Sequence, residues 1–354
     1  MLMTILVTGA AGFIGSNFVI DWFQESDEDI VSLDLLTYAG SLENLTLLNG
    51  SSRHHFFKGN INNGELTSRL FKKYQIRAVV NFAAETHVDR SIYKPKDFIE
   101  TNIVGTYKLL ESVRLYWSEL NEKSKKEFRF LHVSSVEVYG SLNKKDPPFS
   151  ETSPYQPNNP YSACKAAGDH LVRAGYKTYG LPVLTTKSSN NYGPYHFPDK
   201  LIPLCIFNAL NGKSLPIFGN GQQIRDWLYV KDHCSAIRKA LEKGRPGETY
   251  NIGSSNEKTN VYVVKTLCRI LDQLKPRLDG QKYEAQIVYI KDRPGHDRRY
   301  AIDSTKARIE LDWYPQETFE TGIRKTVEWY LVNQDWLNHA MRNENKNRSQ
   351  KLYT

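Results

Sequence analysis

The sequence predicts an α/β protein, a doubly wound parallel sheet carrying a smaller C-terminal lobe. Short β-branched runs alternate with amphipathic stretches through the first half, and a glycine-spaced turn follows the first of those runs. Near Asn190 the sequence becomes loop-rich, which marks the start of the lobe.

Thr4–Thr8 reads as a strand, Phe13–Glu25 as a helix, and Ile30–Leu33 and Ala78–Phe82 as further strands. Between Lys96 and Trp117, apolar residues recur at helical intervals (Phe98, Ile99, Ile103, Leu109, Leu110, Val113). Phe128–Ser135 is another strand, followed by a loop rich in Pro, Asn and Ser; Tyr161–Tyr179 returns to helical spacing and Val183–Ser189 to strand. Beyond it, NNYGPYHFPDK is loop-like, Leu201–Leu210 a short apolar helix, GNGQQ a turn and Val261–Leu271 one more helix. No fixed-period repeat or low-complexity linker interrupts the chain. Residues 1–189 are therefore expected to form the sheet domain, 190–340 mainly the lobe, and 341–354 a polar basic tail.

With 354 residues and 40% hydrophobic content, the chain can bury a large core. A charged fraction of 24% excludes a disordered or fibrous protein. No stretch approaches the ~18 apolar residues of a membrane span. Met1–Thr8 lacks the charged n-region of a signal peptide, so a cytoplasmic location is expected. Cys164, Cys205, Cys234 and Cys268 are scattered, without CxxC or histidines at metal spacing, so neither metal site nor disulfide is expected. The net charge of +8 is dispersed. Its one concentrated run (Arg342, Lys346, Arg348, Lys351) lies in the tail and reads as a solvated or frayed end. Nucleic acid is accordingly not expected as a partner, whereas a small anionic substrate gains from a positive field.

Gly9, Gly12 and Gly15 spell G-x-x-G-x-x-G between a strand and a helix. A tight turn, close backbone approach to a pyrophosphate and close helix–strand packing each require a residue without Cβ, and the helix N-terminus then faces the phosphates. Asp34 ends the next strand about 20 residues on, where a carboxylate meets adenosine ribose hydroxyls. The pattern is a Rossmann-type dinucleotide site, and the Asp34 charge repels a 2′-phosphate, which favours NAD over NADP. Read blandly, Asp34 is only a strand-end turn residue.

Tyr161 and Lys165 stand on one face of one predicted helix. An amine cation near a phenol favours phenolate, and such a tyrosine accepts a hydroxyl proton while hydride leaves for a nicotinamide. With 21 tyrosines in the chain the spacing alone is weak. Its position after the strand bearing Ser134, Ser135 and Glu137 strengthens it, because sheet C-termini carry the chemistry in such folds.

Longer segments carry a resemblance: TGAAGFIGSNF at 8–18, NFAAETHVDRSI at 81–92, SSVEVYGS at 134–141 and NPYSACKAAGDHLV at 159–172. SNNYGPYHFPDKLIP at 189–203, GNGQQIRDWLYVKDH at 219–233 and DRPGHDRRYAID at 292–303 continue it. Over nearly its whole length the chain resembles the nucleotide-sugar branch of the extended short-chain dehydrogenase/reductase family, and most closely its dTDP-glucose 4,6-dehydratases. The resemblance implies NAD as cofactor and dTDP-glucose or UDP-glucose as substrate. C4 would be oxidised by Tyr161 with Lys165, water eliminated across C5 and C6 by Glu137, and hydride returned to C6. Ser135 would hold the C4 oxygen. Gly9, Gly12, Phe13, Ile14, Gly15 and Asp34 match cofactor-binding positions, as do Asn60, Ile61, Ala83, Ala84, Thr101 and Asn190, together with Tyr161 and Lys165. Thr86, His87, Asn191, Lys200 and Leu201 match substrate positions, as do Arg225, Asn260, Arg293 and His296; Lys200 and Arg225 suit a pyrophosphate. For Thr86, His87 and Asp89, tying a loop to the sheet is an equal reading. A homodimer joined through the helices at 96–117 and 161–179 is also expected from the family.

The family usually reads Ser-Thr-Asp-Glu-Val-Tyr-Gly where this chain has Ser134-Ser135-Val136-Glu137-Val138-Tyr139-Gly140. The replaced aspartic acid is the group held to protonate the departing C6 hydroxyl, and valine donates no proton. Three readings follow: Glu137 returns its C5 proton to the C6 oxygen, the chemistry stops at 4-epimerisation, or a uronic acid is decarboxylated. Glu137 opposes the epimerase, and the lobe motifs oppose the decarboxylase. A non-catalytic NAD-binding protein is the reading from another class, opposed by the presence of Tyr161, Lys165 and Glu137 together. Asn60 replaces the usual Asp of Gly-Asp-Ile, where its carbonyl still accepts from adenine. Cys164 replaces a usual serine beside Lys165 and reads as small-residue packing.

Overall fold

The computed structural model describes residues 4–292 and 295–351, with side chains described as far as Arg342. The strands of the first half are β1 (Thr4–Thr8), β2 (Asp29–Asp34), β3 (His54–Lys58), β4 (Ile76–Asn81), β5 (Arg129–Ser135) and β6 (Val183–Ser188). After them come β7 (Asn190–Tyr192), β8 (Leu215–Phe218), β9 (Ile224–Tyr229), β10 (Thr249–Ile252), β11 (Glu257–Thr259) and β12 (Ile287–Ile290).

Seven strands form one sheet in the order β10-β6-β5-β4-β1-β2-β3, and every pairing in it is parallel. Parallel neighbours need crossover connections, which the helices supply, and the order 3-2-1-4-5-6 is that of the doubly wound dinucleotide fold. Strand alternation divides the core. Ile5 and Val7 pack with Phe18 and Trp22 of the helix Phe13–Glu25 and Ile237 of the helix Val230–Lys243. Leu6 packs on the other face, with Phe71 of the helix Gly64–Tyr74 and Leu109 and Val113 of the helix Thr106–Glu119. The lobe has its own core, in which Ile206, Leu267 and Val327 meet from the helices Leu201–Leu210, Asn260–Leu274 and Phe319–Val332. Two small sheets accompany them, β11-β9-β7 and β12-β8.

Three elements add to the sequence reading. The stretch Lys96–Trp117 is not one uniform helix: Pro95–Phe98 leads into a π-helical segment, Ile99–Gly105, before Thr106–Glu119 continues. Widened turns of this kind are common at functional sites. Within it, Asn102 clamps the Glu85 backbone, accepting from its N–H and donating to its C=O, both at 2.9 Å. Within the span 190–340, read as mainly lobe, β10 completes the large sheet beside β6 and the helix Val230–Lys243 packs beneath it. Residues 341–351 of the tail lie in a helix, Gln334–Lys351, that starts before it; residues 352–354 and the side chains of Lys346, Arg348 and Lys351 fall outside the described residues.

Candidate active site

The cleft opens at the C-terminal ends of β1, β4, β5 and β6. After β1 the chain turns at Gly9, whose φ is +66°; a Cβ there would lie 2.6 Å from the Ala83 backbone nitrogen. At Gly15 a Cβ would come 2.1 Å from the Gly9 carbonyl oxygen, so helix and turn meet backbone to backbone. Gly12 caps the helix without a side-chain bond, leaving its first amides turned toward the cleft. Asp34 ties the turn and also faces the cleft. Its carboxylate accepts from the N–H groups of Ala11 (2.9 Å) and Leu36 (2.7 Å), and it lines the cleft. Burial pushes this carboxyl up and those two amides oppose the shift. The Asn60 side-chain carbonyl oxygen accepts from Asn62 N–H at 2.9 Å within its own turn and keeps a second lone pair for another donor.

The end of β5 positions the reactive groups. Ser135 caps the short turn Val136–Tyr139, accepting from Glu137 N–H at 3.2 Å, so Ser135 and Glu137 both line the cleft. Tyr161 enters on the first turn of the helix Pro160–Tyr179, which a capping box from Asn159 and Ser162 starts at a defined residue. Lys165 follows one turn later and also lines the cleft. The pull toward phenolate expected from Lys165 meets opposition here. Burial pushes the Tyr161 phenol up, the Glu137 charge adds to this, and the Ser135 hydroxyl opposes it. The Lys165 ammonium donates to the Val133 carbonyl at 2.7 Å, and burial lowers its pKa to about 8 against the opposing pull of Asp169.

Beneath these groups lies a buried polar network that periodicity did not reveal. Asp169, on the same helix face, accepts from Tyr155 O–H at 3.1 Å and has Lys187 Nζ 4.0 Å away. Lys187 donates to the Tyr139 hydroxyl at 3.0 Å and sits 4.3 and 4.2 Å from the ring centres of Tyr139 and Tyr155. Removed from water, that cation is held by a carboxylate and two aromatic faces.

The lobe supplies the opposite wall. Buried Arg225 donates to the carbonyls of Ile224 (2.8 Å) and Asp297 (2.9 Å), with its guanidinium 4.3 Å from the Tyr300 ring centre. Lys200 reaches across to the Thr86 carbonyl at 3.2 Å. His87 caps the helix Val88–Tyr93 and lies 3.4 Å from Asp199, so the loop-tying reading holds for it geometrically. His296 pairs with Asp292 at 2.7 Å. Asn191 is fixed by Ser189 and His233, both at 2.9 Å. Asn60, Ile61, Ala83, Ala84, Thr101, Leu201 and Asn260 line the same cleft, as does Asn190, whose buried side-chain carbonyl oxygen has no hydrogen-bond partner among the described residues. Arg293 lies outside the described residues.

The cleft also holds groups to which the sequence reading gave no role. Burial raises Glu85 to about 7, and His196 stacks on Phe13 with ring centres 4.2 Å apart. Both stand inside quoted motifs, but nothing in their spacing distinguished them. Val136, by contrast, does not line the cleft. It is 1% exposed and belongs to an apolar cluster with Val138, Leu142, Phe149, Tyr300 and Ile302.

Comparison with known proteins agrees with this geometry. The GDP-mannose 4,6 dehydratase family model matches residues 6–326. The dTDP-glucose 4,6-dehydratase of Xanthomonas campestris pv. campestris is 58% identical over 336 residues, 95% of each chain. This chain belongs to the dTDP-glucose 4,6-dehydratase family. Solved dehydratases superpose closely on it. That of Bacillus anthracis, in complex with NAD, has a TM-score of 0.84 at 47% identity, covering 96% of this chain and 99% of that one. That of Streptomyces venezuelae, with NAD and TYD bound, has a TM-score of 0.85 at 40% identity, covering 94% and 98%. Among the described residues of this dehydratase, no helix is long and apolar enough to cross a membrane.

Proposed function

We infer that this cleft carries out the NAD-dependent 4,6-dehydration of dTDP-glucose, a hydro-lyase reaction. The observation that carries the reading is the convergence of Ser135, Glu137, Tyr161 and Lys165 on one cleft with the glycine turn after β1. The residues fit a dinucleotide: Gly9 and Gly15 have no room for a Cβ, Asp34 suits ribose hydroxyls, and the Asn190 side-chain oxygen, without a hydrogen-bond partner among the described residues, lines the same space. When bound there, NAD supplies an acceptor for the C4 hydride and a donor of hydride to C6.

Tyr161 takes the C4 hydroxyl proton, while Ser135 holds that oxygen and Lys165 supplies the nearby positive charge. The ketone acidifies C5–H, and Glu137 removes that proton. Lys200, Arg225, Asn260, His296 and Arg293 hold the nucleotide diphosphate, with Thr86, His87, Asn191 and Leu201 around the sugar. Gly12, Phe13, Ile14, Asn60, Ile61, Ala83, Ala84 and Thr101 surround the dinucleotide. The site works within a cytoplasmic homodimer; exposed Ile99, Tyr107 and Leu115 on the helices at 99–119 support that association, which sedimentation tests.

Epimerisation at C4 is favoured by one observation, Val136 in place of an acid. The Glu137 carboxylate in the cleft counts against it, because inversion at C4 needs no base at C5. Proton NMR of the product formed from dTDP-glucose decides. A new C6 methyl signal supports dehydration, and a six-carbon product with C6 still hydroxylated refutes it.

A further inference from the structure

We propose that Trp336, on the helix Gln334–Lys351, is a positioning residue for dinucleotide retention, its indole bracing both rims of the NAD side of the cleft so that bound NAD leaves slowly. This rests on the reading of the cleft beside Asp34 as the NAD site. The indole N–H donates to Asn44 Oδ1 at 2.8 Å, and Asn44 Nδ2 donates onward to the Ala11 carbonyl at 2.8 Å. Ala11 lies between Gly9 and Gly12 in the turn after β1, and its carbonyl also accepts from Ser41 N–H at 3.0 Å. Two hydrogen bonds in series therefore tie the C-terminal helix to the glycine turn. Asn44 is 1% exposed and suits the junction. The indole only donates and the carbonyl only accepts, so one amide oxygen and one amide nitrogen satisfy both.

The same ring braces the opposite rim. Tyr195 packs between two indoles, with ring centres 4.7 Å from Trp329 and 5.8 Å from Trp336. Its backbone φ is +63°, a left-handed conformation strained for a residue of its size, and that packing keeps it there. The next two residues, His196 and Phe197, line the cleft. The His196 carbonyl accepts from Tyr330 O–H at 2.7 Å, and Phe197 meets Tyr38 edge-on with ring centres 5.6 Å apart. Tyr38 belongs to the stretch Thr37–Gly40, which follows Asp34, lines the cleft and leads into the helical turn Leu42–Leu48 that carries Asn44. The Tyr38–Phe197 contact thus bridges the two rims, and Trp336 holds the segment behind each ring. Parting the rims to release a dinucleotide pulls Asn44 and Tyr195 away from one indole.

The test loads the intact enzyme with radiolabelled NAD, adds excess unlabelled NAD and counts the protein-bound label over time. Trp336→Phe keeps an aromatic ring and removes the N–H, while Asn44→Leu cuts the same chain from the other element. Each is expected to release NAD about 10-fold faster, the effect of one lost buried hydrogen bond, with dTDP affinity unchanged. The double variant is expected to release NAD no faster than the quicker single variant, because both changes break one series of bonds. Three results overturn the role of Trp336 and leave NAD as the cofactor. They are a wild-type release rate in either single variant, a double-variant effect equal to the product of the two, and dTDP binding weakened as much as NAD retention. Wild-type protein that neither carries nor takes up NAD overturns the dinucleotide reading as well.

Discussion

Lys165 Nζ donates to the Val133 carbonyl at 2.7 Å, which ties the helix bearing Tyr161 to the strand that ends in Ser135. The Tyr161 phenol therefore stands at a height above the sheet set by a buried charge-assisted bond. Replacing Tyr161 by Phe keeps that tie and removes only the proton acceptor. The expected result is a fall in kcat of about 10²–10⁴-fold with KM nearly unchanged. Steady-state kinetics on dTDP-glucose checks it.

Asp169 sets the pH range of that cation. Burial lowers Lys165 to about 8, and the Asp169 carboxylate opposes the shift. The useful form is the ammonium, present below its pKa, so activity is lost as pH rises through that value. Asp169→Asn removes the opposing charge and lowers the pKa further. The alkaline limb of the kcat–pH profile should move to lower pH, and an unmoved limb contradicts the assignment.

The glycine turn admits no methyl group. Gly15→Ala places a Cβ against the Gly9 carbonyl at a distance that real structures do not show. The helix must retreat from the turn at a cost of about 1–3 kcal/mol. Melting curves with and without added NAD are the check. The variant should melt lower and gain less from the dinucleotide than wild type does.

Val136 offers a test of its own. At 1% exposure within an apolar cluster, an aspartic acid there is buried without an arranged partner, at a cost of about 1–3 kcal/mol. Val136→Asp should therefore melt lower without eliminating water faster. Unchanged melting with faster elimination would show that position 136 faces the substrate.

Much of this was legible in the sequence, for identifiable reasons. Short β-branched runs marked strands such as Thr4–Thr8, and the helix limits Phe13–Glu25 and Leu201–Leu210 coincide with the structure, because flanking glycines and loop residues punctuate them. The π-helical segment at Ile99–Gly105 was not legible, since its apolar residues still fall near helical spacing. β10 returns to the large sheet through a pairing with β6 that no local pattern encodes. The same holds for the site. Motif residues such as Gly9 and Tyr161 advertise themselves by spacing. Lys187, Asp169 and Trp336 matter through distant partners, visible only once the fold brings those partners to them.

In the mechanism inferred for this enzyme, one cleft oxidises C4, removes water across C5 and C6, and returns the same hydride to C6. The most direct measurement supplies dTDP-glucose deuterated at C4, with no added NAD, and locates the label in the product by NMR. The account predicts deuterium in a new C6 methyl group. Deuterium retained at C4, with or without inversion there, would contradict it.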